Sequence, residues 1–101
     1  MDKAEALKVL QESRVAIDNI DEELIYLIKK RTSLARDIAS AKIALGMEIE
    51  DKKREDYIQD KIKKISNQNE MDGDLINKIM KILMDLNKKE QEKILRRNAN
   101  G

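Results

Sequence analysis

Residues 3–45, KAEALKVLQESRVAIDNIDEELIYLIKKRTSLARDIASAKIAL, run without a proline or a glycine and meet their first glycine at Gly46. Lys, Glu, Leu, Ile, Ala and Asp dominate the stretch, a mixture that on balance favours helix. A glycine directly after an apolar-periodic run is a C-terminal stop signal. The stretch predicts one helix of 43 residues, roughly 64 Å long at 1.5 Å per residue. A compact domain of this chain length is much narrower than that. The apolar face of such a helix needs a partner beyond its own chain, and the economical partner is a second copy of itself.

Working outward, a second helix is expected over about 51–67, with Asp51 as N-cap and Arg54 and Glu55 in its first turn. The segment Asn67-Gln68-Asn69-Glu70 reads as a loop. A third helix follows over about 72–97, with Asp72 as a cap, and 98–101 reads as a frayed tail. The expected fold is all-α: a single domain over 1–101 with three helices per chain, the first very long. Two chains would share one core as an intertwined homodimeric six-helix bundle.

Composition narrows the chemistry. Of 101 residues none is histidine or cysteine, which removes a disulfide framework, a thiol nucleophile, a Cys/His zinc site and an imidazole base. Lysine plus arginine (21) nearly cancel aspartate plus glutamate (20), which argues against a general nucleic-acid binder. The opening MDKAEALKVLQ holds no apolar run long enough for a signal peptide or a membrane span. No membrane or nucleic-acid partner is expected, and the cysteine-free chain fits a reducing cytoplasm.

The seam of the long helix carries the functional signal. At alternating steps of four and three residues it reads Leu10, Arg14, Ile17, Asp21, Leu24, Ile28, Arg31, Ala35, Ile38, Lys42, Leu45, which places these side chains on one face. Seven of the eleven are apolar, and three of the four charged ones are cations. Lys and Arg are seldom buried without a partner, because desolvating an ion costs several kcal/mol. Two readings stand side by side. The long cationic side chains can lie along the seam and reach water at their tips, or they can line a pocket for a small anion bearing more than one negative charge. Arg31 and Lys42 lie 11 residues apart, about 16 Å along the axis, within converging reach of one ligand. Arg14 is a further 17 residues from Arg31, roughly 25 Å away. It can approach the same pocket from a second, antiparallel chain.

The last helix repeats the intrusion. Its seam runs Ile76, Met80, Leu83, Asn87, Gln91, Ile94, with amides where aliphatic side chains are expected. That amide pair is compatible with an ordinary polar face or an interhelical hydrogen bond. Glu55 lies in line with Ile58, Ile62 and Ile65, in a first-turn position where a carboxylate also serves the helix dipole. The agreement of these misplaced polar groups on one pocket carries more weight than any one of them.

Arg14-x-x-Ile17-x-x-Ile20-Asp21, Leu24 through Arg31, Ala35 through Lys42, Asp51-x-x-Arg54-Glu55 and Asn87-x-x-x-Gln91 together resemble the all-helical (AroQ-type) chorismate mutases across nearly the whole chain. The resemblance implies an interlocked helical dimer that converts chorismate to prephenate, the branch step toward phenylalanine and tyrosine, without metal or cofactor. By the same resemblance, Arg31 and Arg14 of the partner subunit would bind the two carboxylates. Lys42 and Gln91 would donate to the ether oxygen, and Glu55 with the backbone at Asp51 would hold the ring hydroxyl. Arg54 would support that loop, and Asn87 would stand near the ring. A unimolecular Claisen rearrangement fits a chain lacking His and Cys, because it needs no base or nucleophile. The rivals are an isochorismate pyruvate lyase, which shares the fold and much of the cationic pocket, and a non-catalytic helical dimerisation module. Glu55 favours the mutase over the lyase, and the module leaves the cation cluster and the Asn87/Gln91 pair unexplained.

Overall fold

A computed structural model describes residues 1–100. Every element among them is helical: α1 (Lys3–Ser33), α2 (Ala35–Leu45), α3 (Lys52–Gln68) and α4 (Gly73–Asn100). The chain divides into two compact units, Met1–Lys30 and the part from Arg31 onward.

The uninterrupted helix expected over 3–45 is divided at Leu34 into α1 and α2. Leu34 keeps right-handed angles (φ −65°, ψ −18°), and its carbonyl still accepts from the Ile38 N–H at 3.1 Å. The interruption is a single residue. Thr32 and Ser33 precede it, and hydroxyl side chains of this kind compete with the backbone ladder. At the far end, α4 continues through Asn98 and Ala99 to Asn100, where fraying was expected. No glycine or proline interrupts it there, and Gly101 lies outside the described residues.

In the first unit, the Asp2 side chain caps α1 by accepting from the Glu5 N–H at 2.8 Å. Residues 1–27 are all exposed, and Leu10, Ile17 and Leu24 of the seam are each about half accessible. Apolar side chains at this spacing form a continuous stripe on one helix face.

In the second unit, α4 packs against both α2 and α3. Ala35 and Ala39, four residues apart on α2, are buried together with Met84 of α4. Small side chains at the contact let the α2 and α4 backbones approach closely. Asp51 caps α3 by accepting from the Arg54 N–H at 3.1 Å, and Asp72 caps α4 by accepting from the N–H groups of Asp74 and Leu75 at 3.1 and 3.2 Å.

The two helix stops differ in their chemistry. Gly46 ends α2 at φ 67°, ψ 28°. Its N–H donates to the Ile43 carbonyl at 3.2 Å, and the Met47 N–H donates to the Lys42 carbonyl at 2.8 Å, which is the Schellman pattern. The same pair of bonds closes α3, from Glu70 to Asn67 at 3.3 Å and from Met71 to Ser66 at 2.8 Å. There the left-handed position falls on Glu70 (φ 55°), which carries a Cβ and pays for that conformation. A Cβ at Gly46 would meet no atom within 4 Å, so a substitution there is penalised by conformation alone. Gly46→Ala is expected to lower stability by about 1 kcal/mol, read as a fall in the urea midpoint with an unchanged slope.

Candidate active site

A cavity of about 390 Å³ opens in the second unit, lined by residues from the end of α1 through α4. Its polar wall holds Arg31, Lys42, Asp51, Arg54, Glu55, Asn87, Lys88 and Gln91, and its apolar wall includes Leu34, Ile38, Ile58 and Met84. Seven of the residues singled out from the sequence are brought together here. The eighth, Arg14, lies on α1 within the first unit and is exposed. A volume of this size suits a small organic ligand.

Each side chain arrives through its helix. Lys42 stands in the last turn of α2, and its own carbonyl is fixed by the Gly46 stop. Asp51 and Glu55 are set by the start of α3, where the Asp51 carbonyl accepts from the Glu55 N–H at 3.0 Å. Met84, Asn87, Lys88 and Gln91 recur at three- and four-residue intervals along α4, so one face of that helix forms one side of the cavity.

A chain of hydrogen bonds crosses this site. Lys42 Nζ donates to the Ile49 carbonyl at 2.7 Å and to Gln91 Oε1 at 3.0 Å. Gln91 Nε2 donates to Asn87 Oδ1 at 2.6 Å, and Asn87 Nδ2 donates to the Arg31 carbonyl at 3.3 Å. The direction of the chain is imposed at both ends, because an ammonium only donates and a carbonyl only accepts. Both amides are therefore held in one orientation. Gln91 is 4% accessible, so its polar atoms need these partners. Lys42 has three N–H donors and Gln91 two. The protein occupies two of the first and one of the second among the described residues, which leaves one donor on each for a ligand.

The charges are unbalanced in a useful way. Arg31 Nη1 donates to the Leu83 carbonyl at 3.1 Å. Among the described residues no carboxylate lies within ion-pair distance of Arg31, Lys42 or Arg54. Burial, and after it the neighbouring Arg54 charge, pull the Arg31 guanidinium below its ordinary pKa. An anion between the cations would offset both effects, because a nearby opposite charge favours the charged guanidinium. Arg54 also lies over the Tyr57 ring, 5.1 Å from its centroid, a cation–π arrangement. The Glu55 carboxylate is the exception in being paired: Lys88 Nζ lies 2.8 Å from its Oε1 and 3.2 Å from Oε2 of Glu50.

Lys88 and Glu50 were not singled out from the sequence. Lys88 sits in the run Asn87-Lys88-Lys89-Glu90, where one more lysine reads as a solvated face. Its only sequence signal is adjacency to Asn87. The carbonyl of Ile49 was equally hidden, since a backbone acceptor carries no side-chain signature.

Comparison with known proteins identifies the family. The family model of chorismate mutase type II matches residues 13–92, a span containing Arg14 and every polar residue of the cavity wall. A chorismate mutase of Methanocaldococcus jannaschii is 39% identical over 94 residues, covering 93% of this chain and 95% of that protein. A bifunctional chorismate mutase/prephenate dehydratase of Buchnera aphidicola is 28% identical over 87 residues, covering 86% of this chain and 23% of that much longer protein. With a match across most of its length and a cationic cavity inside the matched span, the chain belongs to the chorismate mutase type II family.

Proposed function

We propose that the chain is a chorismate mutase, a single-domain enzyme that rearranges chorismate to prephenate in the cavity between α2, α3 and α4. The observation that carries the assignment is the set of cations, Arg31, Lys42 and Arg54, lining one cavity with no carboxylate paired to them among the described residues. Chorismate is a dicarboxylate with an ether bridge and a ring hydroxyl, and each of these groups finds a complement. Arg31 takes one carboxylate. The donors left on Lys42 and Gln91 meet the ether oxygen, where negative charge grows as its bond to the ring carbon breaks. Glu55 and the backbone at Asp51 hold the ring hydroxyl. Arg54 supports the turn at the start of α3, and Asn87 fixes the Gln91 amide while standing beside the ring.

The reaction proceeds within one molecule, so the side chains exchange no electrons or protons with it. They bind the compact conformer, which restricts orientation before reaction, and they present donors fixed in advance to the developing charge. An acceleration of about 10⁶-fold requires roughly 8 kcal/mol from these effects. The Lys42 ammonium, held by two acceptors, is the largest single contributor in this reading, because its field is weakly screened in a partly dry cavity.

The second carboxylate is assigned to Arg14 of the partner subunit. The half-exposed stripe Leu10, Ile17 and Leu24 on α1 supports a homodimer in which a second copy covers that face. Among the described residues no helix is long and apolar enough to cross a membrane. Cytoplasmic residence, expected from the cysteine-free sequence, belongs to this proposal.

Incubation with chorismate, followed by its loss of ultraviolet absorbance and by identification of the product, tests the assignment. Prephenate is the expected product, and a folded dimer without turnover refutes the reading. Lys42→Ala is expected to lower kcat by about 10²–10³-fold, whereas a change confined to KM contradicts its role. Arg31→Ala and Arg14→Ala are expected to raise KM strongly, and unaltered kinetics in either removes the carboxylate assignment.

The pH dependence follows from the charged groups. The hydrogen bond from Lys88 holds Glu55 below the ordinary carboxylate range. The Glu55 charge is thus present at neutral pH and lost only as the pH falls through its lowered pKa. Glu55 raises Lys88 above the ordinary lysine range, so that charge is lost only as the pH rises through the raised value. The pair keeps both charges across the neutral range. Gln91, which does not titrate, donates throughout. Activity is expected to hold from about pH 6 to about pH 8. In Gln91→Glu the carboxylate donates only when protonated, so kcat is expected to fall at neutral pH and recover on acidification. A variant with the wild-type profile excludes Gln91 as a donor to the reacting oxygen.

A further inference from the structure

Lys88 stands in the cavity wall and touches no substrate group in the mechanism above. It lies on α4 beside Asn87, and its ammonium reaches two carboxylates of different origin: Glu55 in the first turn of α3 and Glu50 in the segment before it. The Lys88 and Glu55 side chains are about a quarter accessible, at 24% and 23%, while Glu50 is more open at 62%. The contact therefore ties the segment ahead of α3 and the α3 start to α4 across the cavity edge. Among the described residues, Lys88 is the one cation within ion-pair distance of Glu55.

That pairing matters because of what surrounds Glu55. The charged groups lining the cavity with it are Arg31 from the end of α1, Lys42 from α2, Asp51 and Arg54 from the start of α3, and Lys88 from α4. Glu50, bound to the same Lys88, lies close enough to interact with Glu55 directly. Two adjacent carboxylates do not readily share a site, since each disfavours ionisation of the other. A single ammonium between them offsets that repulsion and fixes the position of both. Without it, the Glu55 carboxylate, on a side chain still about a quarter accessible, is free to swing toward Lys42 or Arg54, whose charges the substrate needs.

We infer that Lys88 is a positioning residue for substrate specificity: by clamping Glu55 against Glu50 it holds the Glu55 carboxylate where the ring hydroxyl of the substrate is accepted. The inference rests on the proposed reading of the cavity as a chorismate site. Its effect acts through Glu55 and is confined to the hydroxyl. Lys88 adds nothing to the ether oxygen or to the carboxylates, which other groups hold.

The test compares the intact protein with Lys88→Met and Lys88→Arg on two substrates, chorismate and its analogue lacking the ring hydroxyl. For chorismate, Lys88→Met is expected to lower kcat/KM by about tenfold, in the range for a lost hydrogen bond to a charged group, and Lys88→Arg to restore most of it. For the dehydroxy analogue all three proteins are expected to be alike, because nothing on that substrate needs Glu55. The acid limb of the chorismate profile is expected to move to higher pH in Lys88→Met, as Glu55 loses the cation that keeps it ionised. Equal losses on both substrates, or no loss on chorismate, overturn the inference. Failure of the unaltered protein to turn over chorismate would instead refute the functional reading, and the two failures are told apart by the wild-type control.

Discussion

The directional hydrogen-bond chain from Lys42 through Gln91 and Asn87 to the Arg31 carbonyl is the constraint on which the rest of the site depends. It begins at a group that only donates and ends at one that only accepts, so neither amide can turn over without breaking bonds at both ends. It also joins three helices, since Lys42 is on α2, Arg31 on α1, and Asn87 and Gln91 on α4. The packing of α2 on α4, made close by Ala35 and Ala39, brings these groups within range. Placing a polar chain where aliphatic side chains would stabilise more is tolerable because every link is satisfied. What remains over, one donor on Lys42 and one on Gln91, is available to a substrate at no cost in reorganisation.

Electrostatics follows the same logic. Arg31, Lys42 and Arg54 keep their charges close together with backbone carbonyls or an aromatic ring as partners rather than carboxylates. Carbonyls orient a cation without neutralising it, so the cavity keeps a net attraction for an anion. Had Asp51 paired with Lys42, the site would be more stable and less useful. Instead, Asp51 spends an oxygen on capping α3, and Glu55 and Glu50 are both committed to Lys88. The acids near the cavity are thereby kept from silencing its binding cations.

Much of this was legible in the sequence for a physical reason. A 43-residue stretch free of helix breakers announces its helix, and charged residues on an apolar seam announce a pocket, because each violates the expected pattern at one position only. Arg31, Lys42, Asn87 and Gln91 were visible as intruders. Lys88 was not, since it sits among lysines and glutamates on a face that reads as solvated. The interruption at Leu34 was hidden for the opposite reason: leucine is a good helix former, and nothing in its own chemistry predicts a stop. Glu70 in a left-handed turn was equally invisible, because the α3 stop is imposed by the Met71–Ser66 bond rather than by a glycine.

The absence of histidine and cysteine from the sequence is instructive beside this geometry. A site that works by general acid–base catalysis holds a group whose protonation changes during the reaction, and the protein must tune that group toward the working pH. A unimolecular rearrangement makes no such demand. Its requirements are a fixed conformer and fixed donors, and both improve as the side chains become more rigid and less titratable. A glutamine is preferable to a glutamate at the donor position, because the amide donates at every pH. A lysine with two backbone or amide acceptors is preferable to one paired with a carboxylate, because its field stays directed at the ligand. In the proposed reading, the binding groups are ones whose charge is constant across the neutral range, specificity for the hydroxyl is assigned to Glu55, and the ion pair with Lys88 keeps that carboxylate charged and in place.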